Sequence, residues 1–124
     1  MNKQQVRNFN LFTIRYPFTA IISILHRLSG IFLFLLIPFL LWMLDIALGS
    51  SIGFKHIQTV LTNPVAKLIL WFILVALWYH LLAGIRHLLM DIGIAESLKS
   101  ARLSGGITII VTIIAAILMG SWLW

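Results

Sequence analysis

The sequence predicts an all-α membrane protein of three transmembrane helices, preceded by a short surface segment over residues 1–17. Two observations carry that expectation. Of 124 residues, 61% are hydrophobic and only 10% are charged, against about a quarter charged in soluble domains. The apolar residues also gather into three runs, each close to the ~20 residues that a helix needs to cross a ~30 Å hydrocarbon core. The length allows a single domain, 1–124. With no cysteine, the chain forms no disulfide and holds no thiolate-bound cluster, so any iron–sulfur centre must sit on another subunit. Nine Lys and Arg against three Asp and Glu give a net charge of +6. In a membrane chain this excess orients and anchors; no basic and aromatic soluble module accompanies it to indicate nucleic-acid binding.

Residues 1–17 are polar and basic, with Lys3, Arg7 and Arg15. Phe9, Leu11, Phe12 and Ile14 interleave with the arginines, the pattern of a segment lying at the membrane surface. No short apolar core with a small-residue cleavage site follows, so a removable signal peptide is not expected. Pro17 breaks regular structure ahead of the first span, expected at about 18–44. Pro38 inside it is tolerable because neighbouring helices or waters satisfy the freed carbonyl, and Trp42 belongs to an interfacial belt.

Residues 45–64 read as a connecting loop, with Gly49-Ser50-Ser51 and Gly53 as turn signals. Phe54, Ile57, Val60 and Leu61 predict a short surface-lying helical turn in it, with His56 exposed. Asn63-Pro64 is an N-cap followed by proline at the first helical position, opening the second span at about 65–90. Gly93 is a helix stop after Asp91. Residues 94–102 read as a charged loop with Glu96, Lys99 and Arg102, and the third span, 103–124, carries no charge and ends on Trp122 and Trp124.

Two stripes carry chemistry. In the second span His80, Gly84, His87 and Asp91 stand at offsets 0, 4, 7 and 11, one helical face. Ionisable groups within a span are costly and mark sites with partners. Gly84 has no side chain one turn from His80, so a flat, bulky group has room against the helix there. A neutral imidazole is a common ligand of haem iron; the plainer reading is a histidine hydrogen-bonded to a neighbouring helix. In the first span Ser23, His26, Arg27 and Gly30 stand at offsets 0, 3, 4 and 7, again one face. Arginine near a helix end can simply snorkel to headgroups. Beside a serine and a histidine, it also suits haem propionates or quinone carbonyl oxygens.

The run Ser23-x-x-His26-Arg27-x-Ser29-Gly30, followed about fifty residues later by His80-x-x-x-Gly84-Ile85-Arg86-His87-Leu88-x-Met90-Asp91, closely resembles the cytochrome b membrane-anchor subunits of succinate dehydrogenase, respiratory complex II, in their proteobacterial form. The resemblance covers nearly the whole chain, including Thr13-Ile14-Arg15-Tyr16-Pro17 and the spacing of the spans. It implies that His80 is the axial ligand of haem b, that His26 and Arg27 lie beside the propionates, and that Ser23 and Arg27 bind ubiquinone. Asp91 matches an acidic position where quinone protonation could draw protons. Arg86 and His87 belong to the motif in a structural or docking capacity.

The resemblance implies partners as well. Three helices cannot enclose a haem, and a second axial ligand must come from His26 or from another chain. The family supplies it from a second small anchor subunit, with an iron–sulfur subunit and a flavoprotein subunit docked on the cytoplasmic face. Flavin and succinate chemistry belong to those subunits; this chain alone has no catalytic carboxylate or nucleophile array and is an electron-transfer subunit. Two alternatives stand beside this reading: the anchor of a quinol:fumarate reductase, and a non-redox small membrane subunit in which His80 and Arg27 form a buried polar contact.

Lys3, Arg7, Arg15, Arg86, Lys99 and Arg102 fall on the N-terminal segment and the second loop, against Lys55 and bordering Lys67 on the first loop. The positive-inside rule places the N-terminus in the cytoplasm and the C-terminus in the periplasm of a bacterial inner membrane. His80 then lies about 9 Å, six residues at 1.5 Å each, from Arg86, in the cytoplasmic half of the bilayer. A periplasm-dependent reporter fused after Trp124 is expected to be active, and the same reporter inserted in the 94–102 loop silent; a C-terminal fusion active only in the cytoplasm reverses the topology.

Overall fold

The computed structural model describes residues 18–124; the expected surface segment, 1–17, lies outside the described residues. Four helices follow in chain order: α1 (Phe18–Gly49), α2 (Ser51–Val60), α3 (Pro64–Asp91) and α4 (Leu98–Leu123). Three of them, α1, α3 and α4, are long and apolar enough to cross a membrane. The α2 helix is the short connecting element, and His56 on it is exposed.

The helix ends follow local chemistry. Asn63 caps α3, its side chain accepting from the Val65 N–H at 2.8 Å, with Pro64 as the first helical residue. At the other end Gly93 adopts φ +89°, a left-handed conformation that costs glycine little, and its N–H reaches the Met90 carbonyl at 3.1 Å. Ser97 caps α4 through the Ser100 N–H. Two boundaries differ from the hydropathy pattern. Helix α1 continues past Asp45 to Gly49, because Ile46, Ala47 and Leu48 offer no break before the glycine. Helix α4 begins five residues before the apolar run, taking in Lys99 and Arg102, since the Ser97 cap and not the onset of hydropathy starts it.

Very little of this surface is hidden. The buried hydrophobic residues among those described are Ile22, Leu33, Ile73, Tyr79, Ala83 and Ala101, whereas Phe34, Leu35, Leu48, Ile117 and Trp122 are widely exposed. Lipid tails are as apolar as leucine, so helices in a bilayer are held by close packing and interhelical hydrogen bonds. The bonds are here. The Tyr79 hydroxyl donates to the Ile22 carbonyl at 2.7 Å, tying α3 to α1. Arg86, 7% exposed, donates through Nε to Ser104 Oγ at 3.0 Å and through Nη2 to the Ala101 carbonyl at 2.9 Å, tying α3 to α4. Near the other end of the same pair, Trp71 Nε1 donates to the Ala116 carbonyl at 2.8 Å.

Close packing centres on Gly105 of α4. A methyl group there would lie 2.5 Å from Ile22 Cδ1 and 3.3 Å from Phe18 Cε1 of α1. Ile22 is 1% exposed, so its side chain would have to shift within closely packed surroundings. The next residue, Gly106, has nothing within 4 Å of such a methyl. Alanine at either site gains the same helix propensity, so the difference between them isolates packing. Gly105→Ala is expected to be less stable than Gly106→Ala by about 1–3 kcal/mol, read as a lower thermal midpoint of the purified membrane complex in detergent. Equal midpoints would mean that α4 does not pack on α1 through Gly105.

Candidate functional site

Helices α1 and α3 meet through the two stripes singled out in the sequence. His80 and His26 stack with ring centroids 4.3 Å apart and an interplanar angle of 10°; His87 lies on the same line, 6.1 Å from His26. Each of the first two rings sits over a glycine of the opposite helix. A methyl at Gly30 would come within 3.0 Å of His80 Cε1, and one at Gly84 within 3.3 Å of His26 Nε2. The flat group for which Gly84 makes room is therefore the His26 imidazole.

Two oxygens of α1 face Nδ1 of His80. Its Nδ1 lies 3.0 Å from Ser29 Oγ and 3.3 Å from the His26 carbonyl oxygen. That carbonyl can only accept. The single hydroxyl proton of Ser29 goes to the same carbonyl, at 2.7 Å, which leaves the hydroxyl oxygen as an acceptor too. With the serine proton on the carbonyl, both oxygens stand as acceptors at Nδ1, an arrangement that suits the tautomer protonated there and leaves the lone pair on Nε2. His80 is half-buried. An imidazole with Nδ1–H held by oxygen and Nε2 unprotonated is the donor that a haem iron takes.

The other expected site residues divide. Ser23 is half-buried and Arg27 exposed, one turn apart on α1 beside the histidine cluster. Asp91 is exposed at the end of α3, one turn beyond His87. Arg86 is neither a loop charge nor an exposed docking group: its guanidinium is committed to α4. The chain's acidic residues, Asp45, Asp91 and Glu96, are all exposed. Among the described residues no group of three or more His, Cys, Asp or Glu side chains could hold a metal ion unaided. Sequence reasoning gave Ser29 no role of its own. Its signal was its place three residues after His26, which lets the hydroxyl return to the His26 carbonyl and still face the next helix.

Comparison with known proteins agrees with this architecture. The family described as succinate dehydrogenase/fumarate reductase transmembrane subunit matches residues 1–119. A succinate dehydrogenase cytochrome b556 subunit of Coxiella burnetii is 42% identical, covering the whole of both chains. One from Paracoccus denitrificans is 36% identical over 84% of this chain and 80% of its own. A cytochrome b560 subunit of Reclinomonas americana is 33% identical over 95% of this chain and 88% of its own. Three helices able to span a bilayer and a family match along nearly the full length make this a multi-pass membrane protein, and the chain belongs to the succinate dehydrogenase/fumarate reductase transmembrane subunit family.

Proposed function

We propose that the chain is the haem b-binding membrane anchor of a succinate:ubiquinone oxidoreductase, seated in a bacterial inner membrane with its N-terminus cytoplasmic. It forms one domain, 1–124, holds the iron–sulfur and flavoprotein subunits at the membrane, and contributes part of the ubiquinone site. The observation that carries this reading is the setting of His80: a half-buried imidazole on a membrane-spanning helix, with Nδ1 facing Ser29 Oγ at 3.0 Å and the His26 carbonyl at 3.3 Å, so that the hydrogen-bonding oxygens of α1 all stand on Nδ1. The relatives named above are succinate dehydrogenase subunits, which favours succinate oxidation over the fumarate reductase alternative.

Haem b, when bound, supplies a one-electron centre within the membrane. His80 Nε2 would hold the iron from this chain's side. His26 and Arg27 would be the donors for the propionates. A second small anchor subunit would supply the other histidine. The stacking supports that choice over His26, because rings lying face to face at 10° are engaged with each other. Ser23 and Arg27 donate hydrogen bonds to a quinone carbonyl; the exposed guanidinium is available to a group outside this chain. Asp91, exposed at the same end as Arg86, is placed to pass protons from the cytoplasmic side.

Three substitutions separate the two roles, with haem content and succinate-driven quinone reduction measured on membranes from each variant. His80→Leu removes the iron ligand and should abolish the b-type spectrum or turn it high-spin, while quinone reduction partly survives. Ser23→Ala leaves His80 untouched, so haem should remain while quinone reduction falls. The loss of one hydrogen bond, about 0.5–1.5 kcal/mol, corresponds to roughly a few-fold to tenfold. Arg27→Leu should damage both. If Ser23→Ala strips the haem and leaves quinone reduction normal, the two faces are assigned the wrong way round.

A further inference from the structure

The imidazole of His80 is held from three sides by α1. Ser29 Oγ sits on Nδ1 at 3.0 Å, Gly30 leaves only 3.0 Å between an added methyl and Cε1, and the His26 ring covers one face at 4.3 Å. Of these three, only the hydroxyl tells nitrogen from carbon. The terminal torsion of a histidine is broad and roughly two-fold. A half-turn of the ring would exchange Nδ1 with Cδ2 and Nε2 with Cε1, presenting a carbon to Ser29 and moving the basic nitrogen to the edge packed against Gly30. Packing tolerates both poses; hydrogen bonding tolerates one.

We infer that Ser29 is a positioning residue for the haem ligand: its hydroxyl fixes the flip and the tautomer of His80 and raises the donor strength of Nε2 toward iron. This rests on the reading of His80 as the iron ligand. The physical basis is that a ligating histidine is oriented, and made more basic, by the oxygen that accepts its other N–H. The Ser29 hydroxyl spends its own proton on the His26 carbonyl at 2.7 Å, which polarises its oxygen and improves it as an acceptor from Nδ1. The same carbonyl stands 3.3 Å from Nδ1 and is the weaker acceptor that remains once the hydroxyl is gone.

The test uses the purified membrane complex carrying Ser29→Ala, Ser29→Val or Ser29→Thr. Valine and threonine have nearly the same shape and differ in the hydroxyl, so any effect of bulk or β-branching at this half-buried position is common to both. Two readouts do not depend on turnover: the rate of haem transfer to an excess of apomyoglobin, and the midpoint potential of the b-type haem. Ser29→Ala and Ser29→Val should lose haem about tenfold faster, the lower end of the 10–100-fold range for such outer partners, because the His26 carbonyl remains. Their potential should rise, since a weaker imidazole donor stabilises ferric iron less. Ser29→Thr should match the unsubstituted complex in both. Unchanged release and potential in Ser29→Ala, or threonine behaving like valine, overturns the inference while leaving His80 as ligand. A b-type spectrum that survives His80→Leu unaltered sinks the underlying reading and the inference with it.

Discussion

The contact of α1 with α3 is built around two imidazoles, each lying where the opposite helix carries a glycine. His80 fits over Gly30 and His26 over Gly84, and the rings then stack at 4.3 Å. A side chain at either glycine would push the facing ring outward by a few tenths of an ångström or more. In a bilayer this matters more than it would in water, because burying leucine against leucine gains little over leaving it in lipid. Helices associate where backbones can come close and polar groups can pair. Here both conditions are met at one level, and the Tyr79–Ile22 bond a little over one turn away holds the same pair together.

The third long helix is attached by different means. Arg86 lies against α4 with its guanidinium bonded to a serine hydroxyl and a backbone carbonyl, so a cation in the helix interior is stabilised by oxygen dipoles. A guanidinium suits this role because its planar fork can serve Nε and Nη2 acceptors at once. Gly105 completes the arrangement by letting Ile22 and Phe18 of α1 reach the α4 backbone. Arg86 thus couples the histidine-bearing helix to the rest of the bundle, and its charge contributes little to the loop asymmetry that orients the chain. Lys3, Arg7, Arg15, Lys99 and Arg102 still outnumber Lys55 and Lys67 without it.

Packing and chemistry share residues in this protein. The contact that seats His80 also occupies its Nδ1, and the carbonyl that accepts from Ser29 belongs to the histidine stacked on the ring. Fold and site chemistry are therefore not independent: a change at His26 alters the helix contact, the hydrogen-bond network and, in the proposed complex, the environment of the propionates together. Arg27 is the contrasting case. It stands exposed beside this network, free to serve a group that the three helices alone do not supply.

The sequence by itself determined the class, the three apolar helices, the Asn63-Pro64 start and the Gly93 stop, because hydropathy, capping and glycine act within a few residues of themselves. It also determined which side chains share a face, so the stripes through His80 and His26 were visible before any neighbour was known. It could not give the rotation and height at which the two faces meet. Those depend on which small residue lies opposite which large one, a relation between positions about fifty apart in the chain. Only the tertiary structure could therefore single out Ser29 as the hydroxyl on His80, turn Arg86 from a loop charge into the tie between α3 and α4, and fill the space at Gly84 with His26. Offsets along one helix order its own side chains; the partner of each is chosen by the shape of the helix across from it.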